Sequence, residues 1–226
     1  MASSKQEFLV REAQEPDVEG MRVALWEAFQ HELPRTRPLA LEDPAGFAAE
    51  TTARTLSTIR DAASPFKWFV ATPSESGDPN TIAAALLWER VANANAAPFE
   101  PATTAPWGGP AQAAAHNAFA VAYRAAVGVR PHFVLQVMAT HPAFQGQGAG
   151  SALLRHVTAV ADAERMLSYV DSSPASLKVY GRFGWVAVGK GRLLGPGPEP
   201  TTGEEEPMYA TMMLREPVSG ASTEAA

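Results

Sequence analysis

The sequence predicts an α/β (α+β) fold: one mixed central sheet of about six to seven strands flanked by about four to five helices, with a helical insertion between the third and fourth strands. Three observations carry this expectation. Short runs rich in β-formers alternate with longer segments of helical periodicity. A Gly/Pro/Asp-rich stretch from Ser74 to Asn80 joins two strand-like runs as a hairpin would. In the second half, a glycine loop lies between an apolar run and an amphipathic segment.

Taken in order, Met1 to Gln6 are small and polar and are expected to fray. Phe8–Arg11 reads as a first strand. Pro16 and Asp17 mark a helix start, since Pro suits the first turn, and Val18, Met21, Leu25, Ala28 and Phe29 follow as an apolar stripe. Pro34, Pro38 and Pro44 break up a loop before a second helix over Phe47–Ala62. Lys67–Thr72 and Thr81–Arg90 read as antiparallel strands. A long segment from Val91 to Pro131 follows, Ala/Asn/Pro-rich at first and then helical over Pro110–Val127, with Ala115, Phe119, Ala122, Tyr123 and Ala126 on one face. This insertion reads either as packing alone or as a wall over an acceptor pocket, with His116, Phe119 and Tyr123 as the side chains to watch. After the central strand–loop–helix come a strand over Met166–Asp171, a helix from Pro174 to Gly184 and a strand over Trp185–Val188. A Gly/Pro/Glu loop over Gly189–Glu206 and a strand over Pro207–Leu214 follow, and Pro217–Ala226 is expected to be disordered. There is no internal repeat, so residues 7–216 are expected to form a single domain, with 1–6 and 217–226 as flexible ends.

The organising stretch runs from Phe133 to Leu154. An apolar strand enters Gln145-Gly146-Gln147-Gly148-Ala149-Gly150, and Leu153, Leu154, Val157, Val160 and Ala161 then recur at helical spacing. Strand, glycine loop and helix together bind a pyrophosphate: glycines let the backbone approach the anion, and the unpartnered first N–H groups of the helix face it with the positive end of the helix dipole. No Gly-Lys-Ser/Thr follows, so this is not a Walker A loop, and Gly-x-Gly-x-Gly differs from the dinucleotide spacing. A glycine turn with no ligand is the plain alternative; both flanks stand where an anion cradle needs them.

Composition bounds the function. Hydrophobic residues make up 46% and charged residues 19%, which suits a globular protein. Cysteine is absent, which removes disulfides and Cys-based metal or covalent chemistry. The net charge of −6 lacks the basic footprint of a nucleic-acid binder. No apolar run of spanning length and no basic-plus-apolar start is present, so a cytoplasmic protein without membrane partners is expected. His31, His132, His141 and His156 show no metal-ligand spacing, so no metal is expected.

Met138-Ala-Thr-His-Pro142 followed by Gln145-x-x-Gly148-x-Gly150 resembles motif A of the GNAT acetyltransferase superfamily. Downstream, Ser168-Tyr-Val-Asp-Ser-Ser-Pro174 and Leu177-Lys-Val-Tyr180-Gly-Arg-Phe-Gly-Trp185 resemble its motif B. The wording of both is most similar to the puromycin-acetyltransferase-like branch and its fungal relatives. The resemblance implies the GNAT fold, acetyl-CoA as donor and an amine as acceptor, and the acidic net charge of −6 with no tail-binding cue points to a small molecule for that amine. It also implies that backbone groups of Met138, Ala139 and Thr140 hold the pantetheine, and that Gln145, Gly146, Gln147, Gly148, Ala149, Gly150 and Ser151 surround the pyrophosphate. Gln145 stands where the family has Gln or Arg, keeping the hydrogen bond without the charge. Ser173 falls where many relatives carry an Asn that contacts the pantetheine. Tyr180 matches the tyrosine that gives a proton to the departing thiolate, with a packing aromatic as the plainer role. The base is not marked by any motif: Glu89, Asp171, His132, Glu27 or a water chain could serve, with Asp171 and Glu89 preferred, and Gln136 faces the acceptor in this reading. A catalytically inactive CoA-binding module, or a relative using another acyl donor or an oxygen acceptor, is the alternative. A monomer or a homodimer is expected.

Overall fold

The structure, a computed structural model, describes residues 6–31, 42–75, 81–93, 95–103, 109–194 and 208–218. The expected frayed ends therefore fall mostly outside the described residues, as do Pro34, Pro38, residues 76–80 of the hairpin connection and residues 195–206 of the late loop. Seven strands are described, β1 (Phe8–Glu12), β2 (Phe66–Pro73), β3 (Ala84–Val91), β4 (His132–Thr140), β5 (Leu167–Ser172), β6 (Val186–Leu194) and β7 (Met208–Arg215). With them come five α-helices, α1 (Val18–Phe29), α2 (Pro44–Arg60), α3 (Gly109–Val127), α4 (Ala149–Ala163) and α5 (Leu177–Gly181). The strands form one mixed sheet in the order β1-β2-β3-β4-β5-β7-β6. The chain divides into two compact units, one built from residues 1–34, 38–90 and 135–160, the other from 35–37, 91–134 and 161–226.

In the first unit, β1 pairs antiparallel with β2 (Phe8 opposite Pro73) and β2 antiparallel with β3 (Phe66 opposite Glu89). Period-two alternation of β2 sends Trp68 and Val70 to one face, where they pack with Met21 and Ala24 of α1, Ala13, Ile82 and Ala85. The start of α1 is set by a buried charge. Asp17 is 3% exposed and receives both terminal nitrogens of Arg11 at 2.6 and 2.7 Å and the Gln14 N–H at 2.7 Å. Burial alone would raise its pKa; the guanidinium and the backbone donor outweigh burial and hold it below the usual carboxylate range. α2 begins earlier than the sequence expectation. Pro44 occupies its first turn instead of breaking a loop, because its missing N–H costs nothing there and Asp43 caps the turn through the Gly46 N–H at 2.9 Å. Leu153, Leu154 and Val157 of α4 are fully buried, each contributing about 1.5–3 kcal/mol of apolar burial.

In the second unit, β7 pairs antiparallel with both β5 (Ser168 opposite Arg215) and β6 (Val186 opposite Leu214). Val127, Val134, Leu167, Tyr169 and Met212 form its core, and Phe119, Ala122 and Tyr123 of α3 pack against it. Two expectations are corrected here. The strand expected to stop at Val188 runs on to Leu194, so the loop does not start at Gly189. Gly189 and Gly191 are strand residues that allow close approach: a Cβ on Gly189 would lie 2.5 Å from Met212 Cε, and one on Gly191 2.4 Å from the Phe119 ring. The helix expected over Pro174–Gly184 shrinks to the five residues Leu177–Gly181, preceded by a turn closed by the Ser176 N–H to the Ser173 carbonyl at 3.0 Å.

An ion pair fixes the end of this unit. Arg215, 6% exposed, meets both Asp162 oxygens at 2.7 Å, donates to the Phe183 carbonyl at 2.9 Å and lies over the Trp185 ring. Asp162 also accepts the Val218 N–H at 2.8 Å. The guanidinium outweighs burial and holds the Asp162 carboxyl below its ordinary range, so the stabilisation is present above the unfolded pKa and lost as pH falls through the folded one. Arg215→Leu leaves a carboxylate unpaired in a largely buried place and is expected to cost about 3 kcal/mol. Urea unfolding at pH 7 reads this as a lower midpoint; an unmoved midpoint would show that the pair contributes nothing.

Candidate active site

The cradle of the first unit is built by its own side chains. β4 ends at Thr140, and the His141 N–H donates to the Ala83 carbonyl at 2.9 Å, tying it to the residue before β3. A single 3-10 turn over Pro142–Phe144 follows, capped by His141 Nδ1, which accepts the Ala143 N–H at 3.1 Å. The amide of Gln145 donates to the Thr140 carbonyl at 3.2 Å, and that of Gln147 to the Ala143 carbonyl at 2.6 Å. These two side chains brace the loop from within.

Gly146 (φ +74°) and Gly148 (φ +106°) stand in left-handed backbone, and nothing lies within 4 Å of a Cβ built on either. Gly150 has a different reason: a Cβ there would lie 3.0 Å from Thr140 Oγ1, so α4 approaches the end of β4 closely. Met138 and Thr140 share the β4 face beneath α4, and Ala139 is buried on the other. The Ala152 N–H makes the helical bond to the Gly148 carbonyl at 2.9 Å. The N–H groups of Ala149, Gly150 and Ser151 before it therefore have no intrahelical acceptor. The first turn of α4 carries no acidic residue to compete for them. Open space beside two glycines, free N–H groups and the helix dipole fit a phosphate.

Glu89 of β3 is half-buried and accepts from Gln136 Nε2 of β4 at 2.5 Å. Glu27 accepts from Gln30 Nε2 on α1 at 2.9 Å.

The second unit holds Asp171, Ser173 and Tyr180. Tyr180 of α5 is 5% exposed, edge-on to Trp185 with centroids 5.7 Å apart, and burial pushes its phenol well above the ordinary range, so it stays protonated. The Ser173 hydroxyl lies 3.2 Å from that of Ser176. His132 is fully buried, with Nδ1 2.8 Å from the Arg130 carbonyl and Nε2 2.5 Å from the Tyr123 hydroxyl, which makes it a packed, bonded histidine.

Asp171 touches water yet sits among enough protein for desolvation to dominate. Burial raises its carboxyl to about 7, against a smaller lowering by the Tyr169 hydroxyl that donates to it. Because the folded pKa is raised, the associated stability is present below about 3.9, the unfolded value, and is lost as pH rises through the folded one. Asp171→Asn is therefore expected to melt at a higher temperature than wild type at pH 8, with the difference vanishing toward pH 4. Contact with water makes the gain small. Equal melting temperatures at pH 8 would mean that the carboxylate is not penalised.

The glycine loop, Met138–Thr140 and Glu89 thus belong to the first unit, and Asp171, Ser173 and Tyr180 to the second. Sequence reasoning missed the donation from Tyr169 to Asp171. The signal was there: residues two apart on a strand share a face. Among the described residues, no group of three or more His, Asp or Glu could hold a metal, and no helix is long and apolar enough to cross a membrane.

A family model described as an acetyltransferase (GNAT) domain matches residues 112–193. No curated protein matches the chain in sequence. Solved structures share the fold. One is described as histone acetyltransferase HPA2 and related acetyltransferase from Corynebacterium glutamicum (TM-score 0.55, 23% identity, covering 95% of this chain and 99% of that one). The polyamine N-acetyltransferase of Drosophila melanogaster is another (TM-score 0.58, 17% identity, covering 93% and 100%). A third is the PaiA N-acetyltransferase of Thermoplasma acidophilum, in complex with coenzyme A (TM-score 0.55, 10% identity, covering 93% and 99%). The seven-stranded fold is shared with these acetyltransferase structures, and the match over residues 112–193 to an acetyltransferase domain takes in the glycine loop and Tyr180. The part of the chain from residue 112 to 193 is thus similar to the GNAT acetyltransferase domain.

Proposed function

We propose that this chain transfers an acetyl group from acetyl-CoA to the amine of a small molecule by direct attack, with residues 7–216 working as one catalytic domain. The observation that carries this reading is the open glycine turn at the head of α4, with free N–H groups and no acidic side chain in the first helical turn. Bound there, acetyl-CoA supplies an activated carbonyl and a thiolate leaving group. In this reading the N–H groups of Gly146, Gly148, Gly150 and Ser151 hold the pyrophosphate, and the β4 backbone at Met138–Thr140 aligns the pantetheine as an added strand would be aligned.

Asp171 takes the proton of the incoming amine. An alkyl ammonium must lose a proton before it can attack, and a carboxylate titrating near neutrality is matched to that task better than an ordinary one. Glu89, oriented by the Gln136 amide, attracts the cationic amine. Tyr180, kept protonated by burial, returns a proton to the thiolate. The Drosophila structure is described as an enzyme that forms N-acetylagmatine, so this fold accommodates a cationic small amine; the acidic charge of −6 here suits one as well.

The experiment is release of free thiol from acetyl-CoA in the presence of polyamines, amino acids and aminonucleosides, with mass spectrometry of the product. Thiol release with one acetyl group gained at nitrogen is expected. Coenzyme A binding without turnover across the panel would favour the inactive module, and a product acylated at oxygen would favour the other alternative.

A further inference from the structure

We propose that Tyr169 is a positioning residue for Asp171, and that the helical insertion α3 controls it through Tyr123. This rests on the reading that Asp171 takes the amine's proton. Tyr169 and Asp171 stand two residues apart on β5 and share a face. The Tyr169 hydroxyl donates to Oδ1 of Asp171. Tyr169 itself is 2% exposed, and its ring meets the edge of Tyr123 with centroids 4.7 Å apart at 64°.

Tyr123 is held in turn. Its hydroxyl lies 2.5 Å from Nε2 of the fully buried His132, whose Nδ1 lies 2.8 Å from the Arg130 carbonyl oxygen. A carbonyl only accepts, so Nδ1 carries the proton. In the neutral ring Nε2 is then the acceptor and the Tyr123 hydroxyl the donor. α3 is itself anchored, by Phe119 against Gly191 of β6 and by Asn95, which donates to the Arg124 and Gly128 carbonyls at 3.3 and 2.5 Å. A continuous set of contacts thus runs from the insertion, through two tyrosines, to the carboxylate.

The chemical consequence follows from which form each contact favours. A hydroxyl donating to a carboxylate stabilises the charged form, so Tyr169 opposes the desolvation that raises Asp171. Among the described residues, the groups that face the pair come from α3, β4, β6 and β7. Tyr123 of α3 faces Tyr169, and His132 of β4 faces Tyr123. β7 brings Met212 opposite Asp171, flanked by Thr211 and Met213, while its Arg215 is paired with Asp162. Beyond β7, Lys190 of β6 stands opposite Thr211.

The test uses the full chain as wild type, Tyr169→Phe, Tyr123→Leu and Asp171→Asn. Tyr169→Phe keeps the ring and removes only the hydroxyl. The Asp171 carboxyl is followed by carbon NMR across pH, and kcat/KM is measured against pH with the same amine throughout, so that the amine's own titration cancels. The Asp171 midpoint and the acid limb of kcat/KM are expected to move up by about one pH unit in Tyr169→Phe, and by less in Tyr123→Leu. An unchanged Asp171 midpoint in Tyr169→Phe overturns the proposal. A shift in Tyr169→Phe with none in Tyr123→Leu overturns the part assigned to the insertion. Wild-type turnover in Asp171→Asn would remove Asp171 as the base while leaving the NMR titration to judge Tyr169 by itself.

Discussion

Gly148→Glu is expected to weaken coenzyme A binding by about 100-fold or more. The loss of two charge-assisted N–H contacts, each contributing roughly 1.5–3 kcal/mol, accounts for that factor. Two effects act together. The backbone at Gly148 sits at φ +106°, which an L side chain does not adopt without strain. The space beside it is open, so the carboxylate stands where a phosphate would sit and repels it. A comparison separates strain from site. Gly128 also has positive φ (+63°) with open space around it but lies outside the loop, so Gly128→Ala carries strain without touching the cradle. Calorimetry with coenzyme A should show the loss in Gly148→Glu and near wild-type affinity in Gly128→Ala. Unchanged affinity in Gly148→Glu removes the phosphate cradle from this turn.

Tyr180→Phe is expected to lower kcat roughly 100-fold with coenzyme A affinity nearly intact, the lower end of what a positioned general acid contributes. The phenol is buried against Trp185 and its proton is held well above neutral pH, so it is available to a thiolate throughout the working range. Phe preserves the edge-on packing, which separates proton donation from ring packing. Steady-state kinetics at saturating acetyl-CoA measure the effect, and a wild-type kcat would leave Tyr180 as a packing residue only.

Much of this site was legible because its signals are local. Gly146 and Gly148 announce left-handed turns, and the apolar periods on either side fix a strand and a helix around them. Asp171 could be named as a candidate from its place at a strand end, but its raised pKa could not be read, since desolvation is a sum over neighbours distant in sequence. His132 remained ambiguous for the same reason: only the fold shows both ring nitrogens engaged. The late glycines misled in the opposite direction. Gly189 and Gly191 look like loop residues by composition, yet they are strand positions: the Phe119 ring leaves no room for a Cβ on Gly191, and one on Gly189 would make the tip of Met212 move aside. Pro44 misled likewise, because a proline breaks a helix in its interior and starts one at its first turn, and only the Asp43 cap distinguishes the two.

By itself, then, the sequence determined the succession of strands and helices, the glycine turn and the tyrosine of α5, because backbone conformation and periodicity are properties of neighbouring residues. Tertiary structure alone decided that α3 packs on β6, that Tyr123 leans on Tyr169, and that Tyr169 holds Asp171. The first two contacts join segments tens of residues apart; the third joins neighbours on one strand, but its strength, like theirs, comes from burial and dielectric, which exist only once the chain has folded.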